Sequence, residues 1–116
     1  MHELGVTFSI MDSLEDIAKK NEVAHISKVV LELGEVSTVI PDYLTDCWKW
    51  ACKKRELFSN CSLEIIKLHA LSYCEDCKQK YNTIQYAKVC PYCGSENTYL
   101  YCGNEFNIKE IEVNDS

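Results

Sequence analysis

The sequence predicts an α+β fold, a three-stranded sheet covered by two helices, with a four-cysteine zinc ribbon inserted ahead of the last strand. Three observations predict it. Two Cys-x2-Cys pairs stand twelve residues apart in the stretch CEDCKQKYNTIQYAKVCPYC, residues 74–93. Two earlier stretches carry apolar residues at three- and four-residue spacings, the period of a helix with one buried face. Three short stretches, two before the cysteines and one after, alternate apolar with polar residues as a half-buried strand does.

In chain order, residues 4–20 read as an amphipathic helix, with Thr7, Ile10, Met11, Leu14, Ile17 and Ala18 on the apolar face and Asp12, Glu15, Asp16 and Lys19 opposite. Residues 26–36, ISKVVLELGEV, alternate from Lys28 onward. Val29, Leu31 and Leu33 share one face while Lys28, Val30 and Glu32 share the other, which predicts a strand packed on one side. A second helix begins near Pro41, a residue suited to the first helical turn, with Asp42 where a helix N-terminus favours negative charge. Its buried face is Leu44, Cys47, Trp48, Ala51 and Phe58, and Lys53-Lys54-Arg55 fits its last turn, where cations complement the dipole. Alternation returns in residues 62–68, SLEIIKL, as a second strand, and residues 73–101 make the ribbon. After the turn signal Gly103-Asn104, EFNIKEIEV reads as the last strand. Phe106 and Ile108 have one parity and Ile111 and Val113 the other, so a bulge near Lys109-Glu110 would bring both pairs to one face.

Three strands cannot bury a face without a cover, and the two helices supply it. The expected domains are therefore an α+β domain over residues 1–70, completed by the strand within 104–116, and a zinc-ribbon domain over 71–103. A ribbon of about 30 residues is too small to fold on apolar burial, so its metal must supply most of its folding free energy, on the order of 10 kcal/mol or more. The hydrophobic fraction of 47% in 116 residues is enough for a modest separate core in the remainder.

The four expected zinc ligands are Cys74, Cys77, Cys90 and Cys93. Each pair puts two thiolates on one tight turn, and two turns brought together by a hairpin give a tetrahedral sulfur cage. Pro91 and Gly94 supply a fixed φ and a permissive one where the second knuckle bends. Four cysteine ligands leave no open coordination position, which makes the zinc structural and not catalytic. The rivals are disulfides, an iron–sulfur cluster and plain buried thiols, and disulfides need an oxidising compartment. The opening Met1-His2-Glu3 carries an acid at once and no apolar secretory region follows, so a cytoplasmic location is expected. An iron–sulfur cluster has the same ligand type, but a single symmetric pair of knuckles is commoner as structural zinc. No run of about 18 apolar residues exists to span a membrane.

The net charge of −6, with 12 basic and 18 acidic residues, argues against nucleic acid as a partner, because holding phosphates requires a clustered basic surface. No nucleophile-and-base spacing, glycine-rich phosphate loop or open zinc site points to an enzyme. Of the other cysteines, Cys47 reads as a small buried hydrophobe, Cys52 and Cys61 have no ligand spacing, and Cys102 lies beyond the second knuckle. His25 and His69 read as surface or packing residues.

His2 differs because of its position. A methionine followed by so bulky a residue is expected to stay, leaving a free α-amine on Met1. Nickel or copper, which favour square-planar geometry, can then be held by that amine, the deprotonated backbone nitrogens of residues 2 and 3, and the His2 imidazole. Zinc prefers tetrahedral geometry and magnesium wants six oxygens, so neither has the same reason to choose such a site.

The opening MHEL, a strand ending LGEVS, the helix after it, the two cysteine knuckles and a closing IKEIEV together resemble the HypA/HybF family of hydrogenase nickel-incorporation proteins, over essentially the whole chain. The resemblance implies a nickel metallochaperone with nickel at His2, Met1 and Glu3 supplying backbone nitrogens, and structural zinc on Cys74, Cys77, Cys90 and Cys93. It also implies delivery to the large subunit of [NiFe] hydrogenase, usually with the GTPase HypB, and in some organisms service to urease. Many members read Met-His-Glu-x-Ser, whereas Gly5 stands here; a serine would cap the first helix better, so a looser start is expected. The rival reading is a zinc-ribbon adaptor for protein or nucleic-acid contacts with an ordinary N-terminus. The sequence leaves open monomer, homodimer or strand-swapped states, and backbone versus side-chain ligation by Glu3.

Overall fold

The computed structural model describes residues 3–113. The elements in order are α1 (Glu3–Lys20), β1 (Ile26–Gly34), α2 (Pro41–Cys52), a 3-10 turn (Glu56–Phe58), β2 (Ser62–Leu68), β3 (Leu71–Cys74), β4 (Lys80–Asn82), α3 (Thr83–Tyr86), β5 (Thr98–Cys102) and β6 (Phe106–Val113). They form an α+β fold with two three-stranded sheets, ordered β2-β1-β6 and β4-β3-β5. The chain divides into two units. One takes the described residues up to Leu31, then Thr38–Ile66, and those from Ile108 on; the other takes Glu32–Ser37 and Lys67–Asn107. No helix among the described residues is long and apolar enough to cross a membrane.

In the first unit, α1 opens on an acid, Glu3, and ends on Lys19 and Lys20, so both ends complement its dipole. It stops at Glu22, whose φ of 56° turns the chain so that the Val23 N–H donates to the Ala18 carbonyl. Its buried face is Val6, Thr7, Ile10, Met11, Leu14 and Ala18. Val6 joins the expected stripe, but Ile17 leaves it, at 48% exposed. Ile17 has the right phase, but it lies in the last turn, where its side chain stays about half exposed.

Strand β1 also departs from expectation. Val29, Leu31 and Leu33 are buried, yet so is Val30 on the opposite side of the pleat. A strand in the middle of a sheet can be covered on both faces, and its sequence then reads as a run of apolar residues instead of a clean alternation. On β6, Phe106 and Ile111 are half-buried whereas Ile108 and Val113 are exposed, so the two same-parity pairs do not share one buried face.

Helix α2 starts at Pro41 as expected, with Ile40 as its N-cap. It is shorter than the sequence suggests, ending at Cys52 with Lys53 as the C-cap, and Phe58 belongs to the separate 3-10 turn. Cys52 is buried and Cys47 only half-buried, the reverse of the expected weighting. Phe58 still reaches the core, packing edge-on against Trp48 at 5.7 Å between ring centroids, while Trp48 Nε1 donates to the Cys61 carbonyl at 3.2 Å. Arg55 leaves the helix terminus altogether: its Nη1 donates to Asp12 Oδ1 at 2.8 Å and Glu15 Oε2 at 3.2 Å, and its guanidinium lies over the Phe8 ring.

The second unit contains a tight crossing of three chain passages. The Gly34 N–H donates to the Glu105 carbonyl, the Glu35 N–H to the Leu68 carbonyl and the Val36 N–H to the Gly103 carbonyl, all within 2.8–2.9 Å. The Glu35 carboxylate accepts from the Ala70 N–H at 2.8 Å and the Glu105 carboxylate from the Gly103 N–H at 2.6 Å. A Cβ on Gly34 would lie 2.0 Å from the Gly103 carbonyl oxygen, and Gly103 itself sits at φ +120° against Ala70. The LGEV signature is thus a backbone-on-backbone contact that tolerates no side chain. Gly34→Ala is predicted to lower the unfolding free energy by roughly 3 kcal/mol, measured by denaturant titration; an unchanged midpoint would show that the crossing relaxes freely.

Candidate metal centre

The second unit brings Cys74, Cys77, Cys90 and Cys93 together, with their sulfur atoms all within 4.8 Å of one another. Cys74 Sγ lies 3.6 Å from Cys93 Sγ and Cys77 Sγ lies 3.5 Å from Cys90 Sγ. A disulfide would require about 2.05 Å. A metal with metal–sulfur bonds of about 2.3 Å in a tetrahedron places its sulfurs roughly 3.8 Å apart, close to what is observed. The four sulfurs stand unbonded at distances that fit a four-thiolate metal site.

The two knuckles are near copies. The Cys74 carbonyl accepts from the Lys78 N–H at 2.9 Å and the Cys90 carbonyl from the Gly94 N–H at 2.8 Å, each closing a loop of five residues. Each loop ends in the left-handed region, at φ 62° for Lys78 and φ 75° for Gly94. Sequence reading found the glycine and missed the lysine, since nothing about a lysine announces a left-handed backbone; the signal was the internal repeat, four residues after the first cysteine of each pair. Strand β3 delivers Cys74, and its antiparallel neighbours β4 and β5 pair Tyr73 with Lys80 and Tyr99. Buried Tyr81 packs with Cys74 and Cys90 and donates its hydroxyl to the Ala87 carbonyl at 2.8 Å.

The cysteines' surroundings are uneven. Cys90 loses solvation, which raises its pKa, but N–H groups of Tyr92 and Cys93 and the Cys77 thiol stabilise its thiolate and bring it down to about 7. Desolvation, together with its hydrogen bond to Cys90, pushes Cys77 up to about 12. A metal binding here must displace protons, so loading is coupled to pH.

Asp76, between the first pair of cysteines, was not singled out by sequence. Its carboxylate accepts from the Ser95 hydroxyl and from Asn97 Nδ2 at 3.3 Å, and the Glu75 N–H donates to the Asn97 carbonyl at 3.0 Å. The hydrogen bonds from Ser95 and Asn97 hold its carboxyl below the ordinary range. Asp76 thus ties the first knuckle to the segment just after the second.

The remaining cysteines stay outside the cluster. Cys52 Sγ contacts the Cys61 carbonyl at 3.7 Å, and burial, with Cys52 beside it, pushes Cys61 up to about 12, so both remain thiols. Cys102 Sγ contacts the His69 carbonyl instead of the cage. His25 Nε2 bonds the Ser59 carbonyl, and His69 is exposed beside Glu35.

Met1 and His2 lie outside the described residues, and Glu3 is the first of the N-terminal set to be placed. It begins α1, so Gly5 falls inside the first helical turn and is not a capping position, contrary to the expectation from sequence. The Glu3 carboxylate reaches across to accept from the Ile40 N–H at 3.1 Å, at the start of α2, where no side chain of the cap itself does so.

Fold and site together define a class, a small α+β protein carrying a closed four-thiol metal module. Its residues 1–113 match the family described as hydrogenase/urease nickel incorporation, metallochaperone, hypA. The chain belongs to this HypA family. It is 33% identical to the hydrogenase maturation factor HypA of Actinobacillus succinogenes, covering 97% of this chain and 99% of that one. It is 31% identical to the maturation factor HybF of Klebsiella pneumoniae, covering 97% and 98%. The solution structure of the Ni metallochaperone HypA from Helicobacter pylori aligns with a TM-score of 0.70 at 26% identity, over 97% of each chain.

Asp76→Ala is predicted to speed loss of the cage metal to a competing chelator by about tenfold without changing its stoichiometry. An unchanged rate would show that the tie between the knuckles does nothing for the metal.

Proposed function

We propose that this protein is a nickel metallochaperone of hydrogenase maturation which takes up Ni(II) through the Met1 amine, the backbone nitrogens of His2 and Glu3, and the His2 imidazole. The observation that carries the assignment of donors is the Glu3 contact. Its carboxylate accepts a hydrogen bond at the N-terminus of α2, which supports a backbone role for Glu3 at the ion. The first N–H groups of a helix have no carbonyl within the helix to donate to, so a metal that strips an amide proton at Glu3 breaks no rung of α1. Family membership over residues 1–113 supplies the cargo.

Zinc is the proposed occupant of Cys74, Cys77, Cys90 and Cys93. It suits four thiolates in a tetrahedron, and with no position left open it serves folding and not catalysis. The protein then acts by transfer and not as an enzyme. An open set of nitrogen donors on a short segment can be exchanged one at a time with those of an acceptor, which a closed sulfur cage cannot do. The proposed partners are the large subunit of [NiFe] hydrogenase and the GTPase HypB, in the cytoplasm, with urease a further client in the sense of the family description.

Metal analysis of untagged protein after nickel incubation tests the reading. The parent is expected to hold one zinc and one nickel, His2→Ala one zinc only; nickel retained by the variant refutes the N-terminal site. Glu3→Gln is expected to keep its nickel, because a backbone donor survives the change, whereas loss of nickel would assign the carboxylate to the ion.

Nickel binding should also tighten with pH. Two amide protons leave, together with part of one from the amine or imidazole, and each proton released contributes tenfold per pH unit. Affinity at pH 8 is therefore predicted to exceed that at pH 6 by on the order of 10,000-fold or more in a calorimetric titration. Equal affinities would contradict amide ligation.

A further inference from the structure

Helix α2 (Pro41–Cys52) carries apolar residues on two faces where its packing uses one. Leu44, Trp48, Ala51 and Cys52 are buried. Tyr43 and Trp50, at 59% and 49% exposed, share another face with half-buried Cys47, at spacings of four and three residues. A cleft opens there between α1 and α2, lined by Leu4, Asp46, Cys47 and Trp50. The Phe8 ring stands edge-on to Trp50 at 6.2 Å between centroids, which fixes the indole as one wall. Contiguous apolar surface rimmed by charge marks an interaction site, whereas apolar residues scattered singly do not.

The rim is charged, with opposite sign toward its two ends. Lys49, Lys53 and Lys54 cluster at the C-terminal end of α2, and among the described residues none of them has an ion-pair partner. Arg55, next in the chain, is already held by Asp12 and Glu15. Lys54 Nζ lies 5.2 Å from the Trp50 ring centroid. Asp42 and Asp46 stand toward the other end. The dipole of α2 favours cations where the lysines are, but it does not call for an indole left in water among them. We propose that this cleft is the docking site for the protein that accepts the nickel, and that it takes an amphipathic helical segment of that protein, apolar along one face and acidic at the end that meets the lysines.

Charge and position select this occupant. Three cations without carboxylate partners, set beside an indole, complement acids that flank an apolar side chain, and tryptophan and tyrosine are enriched among the residues that anchor interfaces. Asp42 and Asp46 repel acids at the opposite end, so the segment lies in one direction only. The cleft also starts at Leu4, the residue after Glu3, whose carboxylate accepts from the Ile40 N–H just before α2 begins. A segment held there keeps the acceptor's own donors close to the N-terminal ones, so nickel passes between neighbours instead of through water. The identity of the occupant rests on the nickel-delivery reading, whereas the surface itself does not.

Calorimetric titration of the zinc-loaded, nickel-free chain with the large subunit of [NiFe] hydrogenase tests docking apart from nickel uptake, which is measured separately and can fail without touching this result. A one-to-one complex is expected, weakening as salt is raised. Trp50→Ala should weaken it by about thirtyfold or more. Lys49→Glu combined with Lys53→Glu should weaken it by about tenfold or more and remove the salt dependence, with zinc content and unfolding midpoint as in the parent. Both lysines are exposed, so this pair of changes decides the matter should Trp50→Ala fail to fold. No complex, a complex indifferent to all of these changes, or self-association of the chain that the same changes abolish, the mark of a second copy in the cleft, would each overturn the proposal.

Discussion

The second unit stands on four sulfur atoms held around one point. Around the cage, the buried hydrophobic cluster among the described residues is Cys74, Tyr81 and Cys90 with Cys77 packed against it, and two of its three buried members are themselves cage ligands. Ile84, Tyr86, Val89, Tyr92, Tyr99 and Tyr101 all face outward. Apolar burial in that cluster is slight beside the cost of ordering the ribbon around it, whereas a structural zinc would contribute on the order of 10 kcal/mol. Such a contribution would also offset the lysine at φ 62°, a conformation that costs a residue with a side chain about 1–2 kcal/mol. With the metal as the organising interaction, Tyr81, Asp76 and the paired loop closures all serve to bring four thiols to tetrahedral distance.

Two metal tasks make opposite demands, and in the proposed reading the chain separates them by donor chemistry. A folding ion should be enclosed, soft-ligated and hard to exchange, which a sulfur cage provides. A transported ion should be selected by geometry yet remain open to a competing donor. The proposed planar set of nitrogens would meet both needs and would have little to offer zinc, which does not readily displace amide protons. Glu3 links this segment to the rest of its unit. Its carboxylate fastens the beginning of α1 to the beginning of α2 and complements the positive end of that helix's dipole.

Much of this was legible in the sequence. The spacing of Cys74, Cys77, Cys90 and Cys93 identified the residues that the fold brings together, because knuckle spacing encodes a local geometry that needs no tertiary information. Both long helices and the three strands of the first sheet also showed in periodicity. What periodicity could not convey was cover. Ile17 has the phase of a buried residue and is exposed, and Val30 has the phase of an exposed one and is buried, because each depends on what lies beyond its own element. Contacts between distant stretches were equally silent: Arg55 with Asp12 and Glu15, Asp76 with Ser95 and Asn97, Gly34 against Gly103. Arg55 in particular looked like part of a helix terminus, since a run of three cations carries no mark of which one leaves to find a partner.

The account rests on two ions in two chemically distinct donor sets on one chain. X-ray absorption at the zinc and nickel edges of untagged protein loaded with one equivalent of each metal tests it most directly. The account predicts zinc with four sulfur neighbours at about 2.3 Å and nickel with four nitrogen neighbours, in planar geometry. Sulfur in the nickel shell, or nitrogen in the zinc shell, would contradict it.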